Sequence, residues 1–151
     1  MASKQKIHRI LGFMLLVLAT SYYGQAQQSK GEDFYIIGNS VDIKSASLKY
    51  TQSVFRGKYS TWNNRQTVII VLPSKKNENC QRVASYLYET SITGMQKYWL
   101  SLVFQGRSNP PVFLDTDAEI ITYVQKNQGA IGIISRSSID PKSALIINII
   151  N

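Results

Sequence analysis

The run Thr67-Val68-Ile69-Ile70-Val71-Leu72 constrains the fold of this chain more than any other stretch. It is short and almost entirely β-branched, which marks a buried strand rather than a helix. Pro73 stops it, because proline cannot donate to a strand ladder. The residues just before it read as the end of a helix. Leu48 and Phe55 stand seven apart and share one helix face. Gly57 follows as the residue after the cap, where a left-handed backbone costs glycine nothing. Val54 to Asn63 is therefore a joint between helix and strand, and Trp62 is expected to pin it to the core.

The rest of the chain alternates in the same way. Phe34-Tyr35-Ile36-Ile37-Gly38 reads as the first strand, and Asn39 to Ser47 as a polar connection. Ser45 or Ser47 caps the helix that ends near Arg56. After Pro73, Ser74 to Asn79 forms a turn, and Asn77 caps a helix running to about Glu89. Thr93, three residues before Gln96, predicts a capping box. The helix after it carries Met95, Tyr98, Trp99, Leu102 and Val103 at helical spacing and ends at Gly106. Asn109-Pro110-Pro111 leads into a short strand, Val112-Phe113-Leu114. Thr116 caps the next helix, whose first turn holds Asp117 and Glu119 at the positive end of its dipole. Ile120, Ile121 and Val124 face inward. Gln128-Gly129 ends that helix, and Ala130 to Ile134 is a strand in which Gly132 predicts a close neighbour. Ala144 to Ile150 is the last strand. Strands alternating with helices predict an α/β fold of three layers, a mostly parallel sheet with helices on both faces.

Two segments resemble a known family. Phe55-x-Gly57-Lys58-x-x-x-Trp62-Asn63 is similar to the F-x-G-K-x-x-x-W-(N/S) segment of the phosphate-binding subunits of ABC importers. Gln128-Gly129-Ala130-Ile131-Gly132-Ile133-Ile134 resembles their (P/Q)-G-A-I-G-Y-(V/I) segment. The resemblance runs from about Phe34 to the C-terminus and covers one lobe of a two-lobe architecture. It implies one lobe of a type II periplasmic-binding-protein fold, phosphate or a similar anion as ligand, and an ABC permease as partner. In that family the turn after the second strand carries S-G-T, whose hydroxyls and amides hold phosphate. Here the matching place reads Asn77-Glu78-Asn79 or Lys75-Lys76-Asn77. The glycine is missing, Glu78 would repel an anion if it pointed inward, and the other lobe, which supplies half the phosphate ligands, is not covered.

Residues 1–26 read as a secretory signal. Lys4, Lys6, His8 and Arg9 form a basic start, Ile10 to Ala19 an apolar core, and Gly24-Gln25-Ala26 a small-residue cleavage site. The apolar run is short for a membrane span. Residues 27–151 form the predicted domain, which places the mature protein in the periplasm or outside the cell. The whole chain carries a net charge of +8. Removing Lys4, Lys6 and Arg9 with the signal leaves 14 basic against 9 acidic residues. This modest positive field favours anionic partners without selecting one.

Several chemistries are excluded. His8 is the only histidine and falls in the signal, so no imidazole remains for a nucleophile–base pair. Cys80 is the only cysteine, and it lies on the apolar stripe of Val83, Ala84, Leu87 and Tyr88, which reads as a buried structural thiol. No metal-spaced Cys/His cluster exists, and no cofactor is implied. Gly57-Lys58 is not a P-loop, since Tyr59 replaces Ser/Thr and Gln52 stands at the first glycine position. The basic residues do not interleave with aromatics, which argues against nucleic acid.

Anion binding has a better physical basis. Ligands of open α/β sheets sit beyond the carboxyl ends of the strands, where helix N-termini present free amides. Three turns qualify: Gly38-Asn39-Ser40, Ser74-Lys75-Lys76-Asn77, and Asp115-Thr116. The second combines a hydroxyl, two ammonium groups and helix amides. Two readings follow. One is a weak solute-binding protein for phosphate or a similar anion, shared between two copies if the chain forms a homo-oligomer. The other is a non-catalytic interaction or scaffold module of the cell envelope that keeps the fold without the ligand.

Overall fold

A computed structural model describes residues 33–150. The predicted signal segment lies outside the described residues. Six strands and four α-helices follow in the order β1 (Phe34–Gly38), β2 (Ser45–Ser47), α1 (Leu48–Phe55), β3 (Ile69–Pro73), α2 (Cys80–Tyr88), α3 (Ile92–Phe104), β4 (Val112–Leu114), α4 (Asp117–Lys126), β5 (Ala130–Ser135) and β6 (Ile146–Ile150). A 3-10 turn at Arg136–Ser138 follows β5. The strands form one sheet in the order β2-β6-β1-β5-β3-β4.

Alternation along the strands sorts side chains to two faces. Ile36, Ile70, Leu72, Ile131 and Ile133 point to one face and pack with Val54 and Phe55 of α1, Val83 and Leu87 of α2, and Met95 and Trp99 of α3. Ile37, Val71 and Ile134 point to the other and pack with Ile120 and Val124 of α4. The protein thus has the predicted three layers, with helices on both faces. Gly132 lets α4 sit close, for a Cβ there would lie 2.9 Å from Ile120 Cγ2.

The sheet departs from the expected pattern at β1. β3 pairs parallel with β4 and β5, and β2 pairs parallel with β6. β1 pairs antiparallel with both β5 and β6. Five strands therefore run one way and β1 runs against them. Hydrophobic alternation is the same in either direction, so it carries no signal of this reversal.

Three local expectations also shift. The stretch Ser45–Ser47 pairs as a short edge strand, not as part of a polar connection, and Ser47 then caps α1 by accepting from Tyr50 N at 3.2 Å. The strand expected at Thr67 begins at Ile69, because Thr67 bridges Thr61 instead. The α3 cap is Ser91 rather than Thr93. Ser91 has the extended backbone of a cap and its hydroxyl accepts from Gly94 N. Thr93 lies inside the first turn.

The helix–strand joint forms as read from the sequence. Gly57 takes φ +69°, and Trp62 is only 4% exposed. The Trp62 indole donates to Gly129 O at 2.8 Å. Trp99 donates to Tyr88 Oη at 2.7 Å, and that hydroxyl donates to Phe55 O, which ties α3, α2 and α1 into one polar chain through an apolar layer. Burial pushes the Tyr88 hydroxyl far up from its ordinary value, so it stays a donor. Both indoles are packed and hydrogen-bonded. Trp62→Ala and Trp99→Ala should each lose about 3–5 kcal/mol in denaturant unfolding, the usual cost of emptying such a site. A loss below about 1 kcal/mol for either would contradict its structural role.

Candidate functional site

The reversal of β1 decides which predicted residues can act together. The carboxyl ends of β3, β4 and β5 lie at one edge of the sheet. The carboxyl end of β1 lies at the other, since Gly38 is level with Ile131 near the start of β5. Asn39 and Ser40 are therefore separated from the other candidates. Their own bonds explain their sequence. Asn39 Nδ2 donates to Gln125 O at 2.9 Å and so caps the end of α4. Asn39 O accepts from Gly129 N, and Ser40 O accepts from Asn64 Nδ2. These are framework contacts, which removes Asn39 and Ser40 from a shared site.

Ser74, Lys75, Lys76, Asn77 and Thr116 do share one edge. Ser74 follows β3, and its amide donates to Leu114 O at the end of β4. Lys75 and Lys76 are exposed. Asn77 is buried and its Oδ1 accepts from Asn79 N at 2.9 Å. The helix cap itself is Asn79, two residues later than expected. Thr116 caps α4 as expected, with a complete capping box to Glu119.

The donors at this edge converge on oxyanions, and the oxyanions are the chain's own carboxylates. Ser74 Oγ donates to Asp115 Oδ1 at 2.6 Å, and Lys76 Nζ to Asp115 Oδ2 at 3.1 Å. Asp117 accepts from Asn77 Nδ2 at 3.1 Å, from Ser135 N at 2.9 Å and from Ser138 Oγ at 2.8 Å. Glu119 Oε2 accepts from the amides of Asp115 and Thr116, each at 3.0 Å. Such charge-assisted bonds to amides and hydroxyls are the geometry of an anion site.

Asp117 and Glu119 were legible in the sequence only as a helix start, and Asp115 as part of the turn before it. Their acceptor role was not. The one signal was their alternate spacing around Thr116, which brings three carboxylates to one turn. The partners of Asp115 and Asp117 come from other turns, far away in the sequence, whereas those of Glu119 lie in its own turn. Among the described residues, no group of three or more His, Cys, Asp or Glu side chains is placed to hold a metal ion. Cys80 is buried, with its thiol against Pro73 O at 3.4 Å, and burial pushes that thiol up.

The carboxylates differ in depth. Asp117 is half-buried and bonds three separate segments. Asp117→Ala leaves three donors without their acceptor and should destabilise the fold by about 1–3 kcal/mol in urea unfolding. Asp115 is exposed, and its hydrogen bonds from Ser74 and Lys76 hold its carboxyl below the ordinary value of 3.8. A depressed value means that the contact is fully present above the unfolded pKa and is lost as pH falls through the lower folded value. The Ser74 and Lys76 resonances should therefore titrate with a midpoint below pH 3.8. A midpoint above it would contradict the contact.

No family model matches the chain, and no curated protein matches its sequence. Solved structures do resemble it. An ABC-type phosphate transport receptor from Vibrio cholerae superposes with a TM-score of 0.55 at 14% identity, over 72% of this chain and 42% of the receptor. PstS from Borrelia burgdorferi superposes with a TM-score of 0.51 at 9% identity, over 69% of this chain and 40% of that protein. The chain spans less than half the length of these proteins. At such identities the likeness is one of fold: the chain has the α/β fold of a periplasmic-binding-protein lobe, and its fold resembles that of phosphate-binding proteins of ABC importers.

Proposed function

We propose that this chain is a non-catalytic, exported solute-binding-like protein of the cell envelope that takes phosphate or a similar oxyanion at the turn Ser74–Asn77. One observation carries this reading. The Ser74 hydroxyl and the Lys76 ammonium already converge on an oxyanion, the Asp115 carboxylate, at 2.6 and 3.1 Å. A phosphate oxygen asks for the same donors at the same distances. The turn lies beyond the carboxyl ends of β3 and β4, where open α/β sheets take ligands. The fold likeness to a phosphate transport receptor points the same way.

Binding at this edge is weak. The Lys76 side chain is 73% exposed, so water and salt screen each contact. A dissociation constant in the millimolar range, about −4 kcal/mol, follows. Association of two copies, or docking on an ABC permease, would exclude water from the edge and tighten it. Export rests on the basic–apolar–small order of residues 1–26.

A second reading has its own support. Asp117 and Glu119 already occupy Asn77 Nδ2, Ser138 Oγ and the amides of Ser135, Asp115 and Thr116. On α3, Leu100 and Phe104 are 58% and 83% exposed. A lobe with most anion donors satisfied and a bare apolar helix face suits an envelope interaction module. NMR titration of the protein with inorganic phosphate separates the two. Saturating amide shifts at Ser74 to Asn77 in the millimolar range are expected. Shifts confined to other turns would overturn the location. No shift at tens of millimolar phosphate would leave the interaction module.

A further inference from the structure

Resting on that reading of the Ser74–Asn77 turn, we infer that Asp115 is an autoinhibitory stand-in for the anion, so that an external oxyanion binds only by displacing the Asp115 carboxylate from Ser74 and Lys76. The geometry separates Asp115 from its two neighbours. Asp117 bonds a buried amide side chain, a backbone amide and a hydroxyl and so holds α4 to the turn after β3 and to the end of β5, while Glu119 bonds two backbone amides of its own turn. The Asp115 carboxylate bonds side chains only, Ser74 Oγ and Lys76 Nζ. Its side chain is 46% exposed and that of Lys76 is 73% exposed. An exposed pair of this kind contributes little to stability, so it opens readily. When it opens, one hydroxyl and one ammonium become free together.

The groups around Asp115 set the pH response. Ser74 and Lys76 face it from the β3–α2 turn, and Glu119 lies beside it on α4 with its carboxylate held by the Asp115 amide. Lys75 and Glu78 stand exposed on the same turn as Lys76. Protonating Asp115 removes the competing charge and weakens its hold on both donors. Its hydrogen bonds hold the Asp115 carboxyl below its ordinary value, so at neutral pH the carboxylate is charged and competes with an external anion, and that competition weakens only in acid. Removing the carboxylate should abolish that competition at any pH.

Sulfate is the discriminating probe, because its charge is constant from neutral pH down to about pH 3, whereas phosphate titrates near pH 7. Amide NMR titrations with sodium sulfate would compare the wild type with Asp115→Ala and Asp115→Asn at pH 7, and the wild type at pH 7 and pH 3.5, with the unperturbed core resonances reporting an intact fold. Asp115→Ala should bind sulfate about tenfold more tightly than the wild type at pH 7, and Asp115→Asn, which keeps an acceptor for Ser74, by less. The wild type should tighten more than Asp115→Ala as pH falls, since the loss of charge on the chain's other carboxylates is common to both proteins. Wild-type binding with less than a twofold change in both variants would overturn the inference and leave the proposed function standing. No sulfate or phosphate shift in any of the three proteins would overturn both.

Discussion

The carbonyl of Gly129 is the point on which much of the fold depends. It accepts from the Trp62 indole at 2.8 Å and from Ile69 N at 3.1 Å, while the Gly129 amide donates to Asn39 O at 2.8 Å. One residue thus joins the end of β1, the start of β3, the start of β5 and the Trp62 loop. Gly129 has φ +80°, and a Cβ there would stand 2.2 Å from Thr67 O. No other residue type fits a left-handed position that another backbone approaches this closely. The two sequence segments that resemble phosphate-binding subunits are separated by more than sixty residues, yet this bond joins them: Trp62 belongs to one and Gly129 to the other. Their pairing is a packing requirement of the fold and carries no ligand chemistry of its own.

The joint also fixes which edge of the sheet is available for function. Gly129, Asn39, Asn64 and Trp62 fill the edge where β1 ends, and their polar groups bond one another. The opposite edge, where β3, β4 and β5 end, presents Ser74, Thr116 and Ser135 with their flanking amides. A reversed β1 places Phe34 next to Ser135 at that second edge. Arg136 lies over the Tyr35 ring at 4.6 Å, and Arg82 lies over the Phe34 ring at 5.1 Å and pairs with Asp33. At the first edge the polar groups of Asn39 and Asn64 are engaged in framework contacts, and at the second Lys76 and Asp115 stand exposed.

The sequence made most of this architecture legible, and the exceptions share a cause. The hydrophobic runs of β1, β3 and β5, the glycine stop at Gly57 and the Thr116 cap all depend on neighbours within about one helical turn, and all form, with β3 starting two residues later than read. β2 was missed because Ser45-Ala46-Ser47 has one apolar residue and exists only through its pairing with β6. The direction of β1 was missed because alternation does not encode direction. At the candidate site, Ser74, Lys76 and Asn77 were singled out by their place after a strand. Their acceptors, Asp115 and Asp117, come from a turn about forty residues later, and only the parallel pairing of β3 with β4 brings the turns together. The framework bond of Asn39 was hidden for the same reason, since its partner Gln125 is 86 residues away.

A lobe of this fold has to find acceptors for the donors that crowd the ends of its parallel strands, because a buried amide left without one costs about 1–3 kcal/mol. A tightly bound anion is one solution. Carboxylates from the first turn of α4 are the solution taken here, placed where they also favour the helix dipole. The two solutions compete for the same donors, so the depth of each carboxylate sets how far the site is committed. Asp117, held by Asn77, Ser135 and Ser138, is part of the framework. Asp115, exposed and held only by Ser74 and Lys76, is the one carboxylate that an incoming oxyanion can replace without dismantling the strand ends. On the proposed function, recognition at this edge is an exchange of one oxyanion for another, and its strength is set by the difference between them rather than by the donors alone.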